Sequence, residues 1–182
     1  MENPWKTNST KKIYTNPWIT LEESNVINPS GNEGIYGVVR FKNRALAIIP
    51  LDDEYYTWIV GQYRYTLDKY EWEIIEGGSP IEQDILEGAK RELKEETGIV
   101  AKEWKMIMTS QLSNSVTDEI GYTFIAKNLT YGKSNPDETE KLLIRRLHFD
   151  ELFEMAMKGE IKDGLSLASI FKTKFLIDKG EI

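Results

Sequence analysis

Cysteine is absent from the 182 residues, which excludes disulfides and thiolate metal sites together. Histidine occurs once, as His148, so multi-histidine zinc centres are excluded and a Ser-His-Asp triad has a single candidate base. That histidine stands in the strand-like alternation from Leu142 to Phe149, which suits a structural role. No apolar run approaches the roughly 18 residues of a membrane span. Met1 to Lys12 is polar and lacks the apolar stretch of a secretory signal, so the cytoplasm is the expected location. Positive charge is short: 23 Lys and Arg face 30 Asp and Glu, for a net −7. Without a basic block, nucleic-acid binding by phosphate neutralisation is disfavoured. A small anionic substrate stays open, provided a metal or a local arginine offsets the repulsion.

What remains is ordinary for a globular chain: 40% hydrophobic and 29% charged residues, enough for one domain with a small appendage. Residues 1–17 are polar and read as an arm or loop. Trp18 to Phe41 gives two β-rich stretches broken at Asn28-Pro29-Ser30-Gly31. Arg44–Leu51 and Tyr55–Tyr65 read as strands joined by an acidic hairpin turn, Asp52-Asp53-Glu54. Gly77-Gly78-Ser79-Pro80 reads as a break ahead of a helix. Further strands are expected at Lys102–Met108, Ile120–Ala126 and Leu142–Leu147, and helices at Phe149–Lys158 and Leu165–Asp178. The pattern predicts an α/β (α+β) sandwich with a mixed sheet.

The helix after Pro80 carries the chemistry. Asp84 caps it, Glu87 completes a capping-box pattern, and Gly98 stands where a left-handed C-terminal residue is wanted. Ile85, Ala89 and Leu93 form an apolar stripe. Glu92 and Glu96 lie one turn apart with Glu95 beside them, a like-charge cluster that an exposed helix face would present to a cation. Mg²⁺ suits it, because it prefers hard oxygen ligands and keeps room for substrate phosphate. Arg91 can pair with Glu95. Spacing alone favours a solvated charged face balanced by Lys90, Arg91 and Lys94, because charged helix faces are common.

The run resembles the Nudix box, G-x5-E-x7-R-E-U-x-E-E-x-G-U with U aliphatic. Gly77, Arg91, Glu92, Leu93, Glu95, Glu96, Gly98 and Ile99 all fall in place, and the first glutamate of the pattern is Gln83 here. Beyond the box, Gly61-Gln62-Tyr63-Arg64-Tyr65 and Trp72-Glu73-Ile74-Ile75-Glu76-Gly77-Gly78 are similar to the ADP-ribose and nucleoside diphosphate sugar pyrophosphatase branch. So are Ser115-Val116-Thr117-Asp118-Glu119, Asp137-Glu138-Thr139-Glu140 and Gly159-Glu160-Ile161-Lys162-Asp163.

The resemblance implies a Nudix-type α/β/α sandwich over residues 42–182, and a β-rich subdomain over residues 1–41 that builds a homodimer. It implies Arg64, Glu73, Trp18 and Glu119 as substrate-binding residues, with Arg64 on the diphosphate and Trp18 on the base. Metal ligands would be Glu76 through its carbonyl, Glu92, Glu96 and Glu140, taking Mg²⁺ or alternatively Mn²⁺. Glu138, or Glu95 or Glu96 within the box, would serve as the base for water attack. Two other readings stay open: a house-cleaning hydrolase of nucleoside triphosphates, and a non-catalytic nucleotide-sugar sensor, although sensors generally lose box carboxylates. Gly132-Lys133-Ser134 is no P-loop, because Lys127 stands where its first glycine is required.

Overall fold

The computed structural model describes residues 2–133 and 142–182. Among the described residues, nine strands and three helices follow in chain order: β1 (Lys6–Thr15), β2 (Ile19–Ile27), β3 (Glu33–Phe41), β4 (Asn43–Pro50), β5 (Tyr56–Arg64), β6 (Lys69–Pro80), α1 (Ile85–Thr97), β7 (Ile99–Gln111), β8 (Ile120–Tyr131), β9 (Leu143–His148), α2 (Phe149–Met157) and α3 (Gly164–Asp178). Strands β1 to β3 make a small antiparallel sheet, and the other six form a mixed sheet in the order β7-β8-β4-β6-β5-β9. Its parallel pair is β4 with β8.

Side chains alternate across each strand, so β4, β5 and β6 feed two cores. Ile48, Val60 and Ile75 point to the layer held by Ala89 and Leu93 of α1. Ile49, Ile59 and Ile74 point to the opposite layer, packed by Phe149 and Leu152 of α2 and by Leu165 and Ile170 of α3. The sandwich is thus helix, sheet, helix. No helix among the described residues is long and apolar enough to cross a membrane.

Three local expectations differ from the structure. Residues 6–15 are not a loose arm: they form β1, paired with β2 from Lys6↔Ile27 to Thr15↔Thr20, although every β1 residue is exposed. Backbone pairing holds this strand without burial, which leaves no hydrophobic period to read. Strands β4 and β5 do not form a hairpin, since β6 lies between them and pairs with both. The Asp52 turn does form, with its Oδ1 accepting from the amides of Glu54 and Tyr56 at 3.0 and 2.8 Å, but the strands leaving it diverge. Finally, Gly77 and Gly78 continue β6, opposite Leu46 and Ala45 of β4. Gly77 is a glycine because Glu92 of helix α1 presses on the strand there.

The small sheet docks on the loop before β8. Tyr36 Oη donates to the Ser115 carbonyl at 2.7 Å, and the Phe41 amide donates to Asp118 at 2.9 Å. His148 ends β9 and caps α2, its Nδ1 accepting from the Asp150 amide at 3.3 Å.

Candidate active site

Helix α1 starts and stops where its caps stand. Asp84 accepts from the amides of Leu86 and Glu87, and Gly98 takes the left-handed conformation at φ 74°. A Cβ there would lie 2.5 Å from the Gly132 carbonyl oxygen, so glycine is required for both the angle and the approach. The Glu87 carboxylate pairs with Lys90, not with the cap.

Arg91 ties this helix to the sheet. Its guanidinium meets Glu92 at 2.7 Å and Glu95 at 2.8 Å, and donates to the Gly78 carbonyl at 2.8 Å. Burial opposes its charge, but the two glutamates outweigh that and push its pKa up. The Glu92 carboxylate rests on the Gly77 backbone: a Cβ on Gly77 would lie 2.5 Å from both Cγ and Oε2 of Glu92. Glu96 is not on an exposed face, as the sequence suggested; it is only 2% exposed. It stands three residues beyond Leu93, which helical periodicity carries to the same inward side. Glu95 borders an outer groove with Lys90, Lys94 and Lys133.

On the other side of Gly77 opens a cleft of about 940 Å³. Trp18, Arg64, Glu76 and Glu119 all line it, so the structure brings four of the expected residues to one surface. Trp18 is 64% exposed and is therefore not a core tryptophan. Arg64 is gripped by Glu73: its Nε donates to Oε1 and Oε2 at 2.9 and 3.0 Å, and its Nη2 donates to Oε2 as well. This bonding pushes the arginine pKa up against the effect of burial. Glu73, 4% exposed, sits behind Arg64 and off the cleft lining. Nη1 of Arg64 makes no hydrogen bond among the described residues. Glu119 has its pKa raised by burial and by the charges of Asp118 and Asp163. Glu138 and Glu140 lie outside the described residues.

Sequence reasoning missed two cleft residues. Arg44, at the start of β4, lines the cleft and donates to the Gln83 carbonyl at 3.1 Å. Asp163 caps α3 through the Ser166 amide at 2.7 Å and faces Glu76, whose carboxyl is pushed well up by burial and by that neighbouring charge. Asp163 closes a stretch similar to the branch, but no local signal marks its pairing with Glu76 across nearly half of the chain.

Among the described residues, no three acidic or histidine side chains group tightly enough to hold a metal by themselves. The box glutamates Glu92 and Glu96 are nonetheless hard oxygen donors, and Glu92 seats against the bare Gly77 backbone, which itself lines the cleft. The donor set suits a hard divalent cation completed by backbone, water or substrate oxygens.

Comparison with known proteins decides the family. Residues 41–167 match the NUDIX domain model, and residues 5–39 match the nucleoside diphosphate sugar hydrolase N-terminal domain. This chain belongs to the Nudix hydrolase family. It is a hydrolase of pyrophosphate bonds in the ADP-ribose and nucleoside diphosphate sugar pyrophosphatase branch. The methanol dehydrogenase activator of Bacillus methanolicus is 28% identical over 91% of this chain and 90% of its own. The ADP-ribose pyrophosphatase of Bacillus subtilis (strain 168) is 27% identical over the same shares, 91% and 90%. The Mycobacterium tuberculosis ADP-ribose pyrophosphatase is 26% identical over 93% of this chain and 83% of its own. A solved ADP compounds hydrolase superposes with a TM-score of 0.86 over 98% of this chain and 97% of that one, at 18% identity, and so shares the fold.

Proposed function

We propose that this Nudix hydrolase cleaves the diphosphate of nucleoside diphosphate sugars, of ADP-ribose or GDP-mannose type, to a nucleoside monophosphate and a sugar phosphate. The observation that carries the reading is the meeting, in one cleft, of Arg64 braced by Glu73 and the Glu76–Gly77 backbone backed by Glu92. A planar guanidinium already fixed on one edge offers its free edge to a phosphate with little further ordering. Arg44 supplies a second positive charge to the cleft. Trp18 gives the base an exposed ring to stack on.

The cleft also carries Glu76, Glu119 and Asp163, so a diphosphate needs more positive charge than two arginines provide. Glu92 and Glu96, with the Glu76 carbonyl and Glu140, would hold Mg²⁺, with Mn²⁺ as the alternative. Such a cation neutralises phosphate charge and polarises the P–O bonds. Arg91 keeps Glu92 and Glu95 in place. Glu138, or a carboxylate of the box, takes the proton from the attacking water, help worth roughly 10²- to 10⁴-fold. Residues 1–41 act as the dimerisation subdomain of a homodimer.

A panel of nucleotide sugars and nucleoside triphosphates, assayed with Mg²⁺ for released phosphomonoester, tests the reading. ADP-ribose or GDP-mannose should exceed every triphosphate at least about tenfold in kcat/KM, a difference of about 1.4 kcal/mol. Faster triphosphate cleavage defeats the substrate assignment. Tight nucleotide-sugar binding without turnover makes the protein a sensor.

A further inference from the structure

Building on the pyrophosphatase reading, we propose that Ser166 is a positioning residue for the metal-binding edge of the cleft: it holds the Glu76–Gly77 backbone against Glu92 from the opposite face of β6. Ser166 lies in the first turn of α3 and is 0% exposed. Its Oγ donates to Glu76 Oε1 at 2.7 Å and accepts from the Ile74 amide at 3.2 Å. Its own amide is held by the Asp163 carboxylate at 2.7 Å. One buried hydroxyl thus links the start of α3 to two points on β6 just before Gly77.

The segment leading to Ser166 follows the same strand. Ile161 forms a parallel bridge with Trp72, and Lys162 donates to Glu71 at 3.1 Å. Together these contacts make residues 161–166 a strap laid along residues 71–76. The α1 side presses back two residues further on, through Glu92 on Gly77 and Arg91 on the Gly78 carbonyl. Strand β6 is therefore clamped between two helices where its backbone meets the box carboxylates. With the strap loosened, the Glu76–Gly77 backbone loses its support on the α3 side while Glu92 and Arg91 still press from the α1 side. Outer-shell contacts of this kind typically govern metal affinity by about 10- to 100-fold.

The test is substrate-free Mn²⁺ titration of the full chain, by calorimetry or electron paramagnetic resonance, on wild type, Ser166→Ala, Glu76→Ala and the double variant. Ser166→Ala should weaken Mn²⁺ binding about tenfold or more. The double variant should bind no more weakly than the weaker single one, because the serine acts through Glu76. Ser166→Cys, which fills the same space with a poor hydrogen-bonding group, should show the same loss and serves if the alanine variant does not fold. Unchanged affinity with only a lowered Tm overturns the proposal, as do additive losses. A wild type that binds no Mn²⁺ overturns it too. Hydrolysis of ADP-ribose is followed in parallel: a wild type that binds Mn²⁺ but cuts no nucleotide sugar defeats the substrate reading, and Ser166 is then judged on the titration alone.

Discussion

The carboxylate of Glu92 fills the space in which a side chain on Gly77 would begin, with Cγ and Oε2 each 2.5 Å from the point a Cβ would take. The two residues come from different elements, and a side chain at Gly77 cannot be added without moving Glu92. Gly77→Ala must displace the end of the Glu92 side chain, which is flexible enough to swing aside. Stability should therefore fall only modestly, by about 1–2 kcal/mol, while kcat/KM drops about 100-fold or more as the carboxylate leaves its position. Melting curves and kinetics on one preparation check the split. Near-native activity would show that this contact has no part in catalysis.

Arg64 and Glu73 give a second separable effect. Arg64→Ala removes the cleft arginine and leaves the Glu73 carboxylate almost buried without its partner. A stability loss of about 1–3 kcal/mol follows, below the value for a fully buried pair because Arg64 is partly exposed. Adding Glu73→Gln should restore much of that stability and none of the activity on nucleotide sugars. Restored turnover in the double variant would make Arg64 structural.

Glu96 should reveal the metal through stability. A ligand that binds the folded state raises its stability by about 2.7 kcal/mol at a concentration 100 times Kd. Millimolar Mg²⁺ should therefore raise the Tm of chelator-treated wild type, and Glu96→Gln should show a much smaller rise with turnover lost. Equal shifts in both proteins would remove Glu96 from the metal site.

Asp52 gives a pH dependence far from the cleft. Burial works against its charge, but the Arg146 guanidinium at 2.8 Å and the amides of Tyr56 and Glu54 outweigh it and hold the pKa below the ordinary carboxylate range. A depressed folded-state pKa contributes stability above the unfolded value, near pH 4, and loses it as pH falls through the folded one. Asp52→Asn should cost about 1 kcal/mol at pH 7 in urea unfolding, with the gap to wild type closing below about pH 4. A gap that is constant with pH would contradict the charged pairing.

The small sheet carries the assembly prediction. Trp18 and Ile35 are exposed, and Trp5 packs edge-on against Tyr36 with ring centres 5.3 Å apart. Apolar side chains left exposed on a small three-stranded sheet and its turn favour a two-fold partner. Light scattering at micromolar concentration should give twice the 21.0 kDa chain mass. A monomer there would rule the dimer out.

Legibility in the sequence followed the range of the interactions. Helix α1 was readable to its ends because Asp84 and Gly98 act on their own backbone neighbours. Strand β1 was not, since its residues are all exposed and only pairing with β2 orders them. The turn at Asp52 was visible, but the insertion of β6 between β4 and β5 is a long-range choice that no turn residue encodes. At the site, Arg64, Glu76, Glu119 and Trp18 were found through resemblance and do meet in one cleft. The burial of Glu96 is not legible, because a carboxylate three residues beyond Leu93 does not read as part of an apolar stripe. Asp163 and Ser166 reach Glu76 from the far end of the chain, and nothing near Glu76 in sequence announces them.

The clamping of β6 also limits how this chain can change in length. Glu76 faces Ser166 on one layer and Gly77 faces Glu92 on the other, so neighbouring residues serve opposite sides of the sheet. Inserting one residue between 71 and 76 would set the Glu76 carboxylate against Glu92, and deleting one would set Gly77 against Ser166. The turn at residues 65–68, where Asp68 already adopts φ 53°, can absorb such a change without moving either partner. Relatives that differ in length should carry their gaps in that turn and leave the strand beyond it uninterrupted.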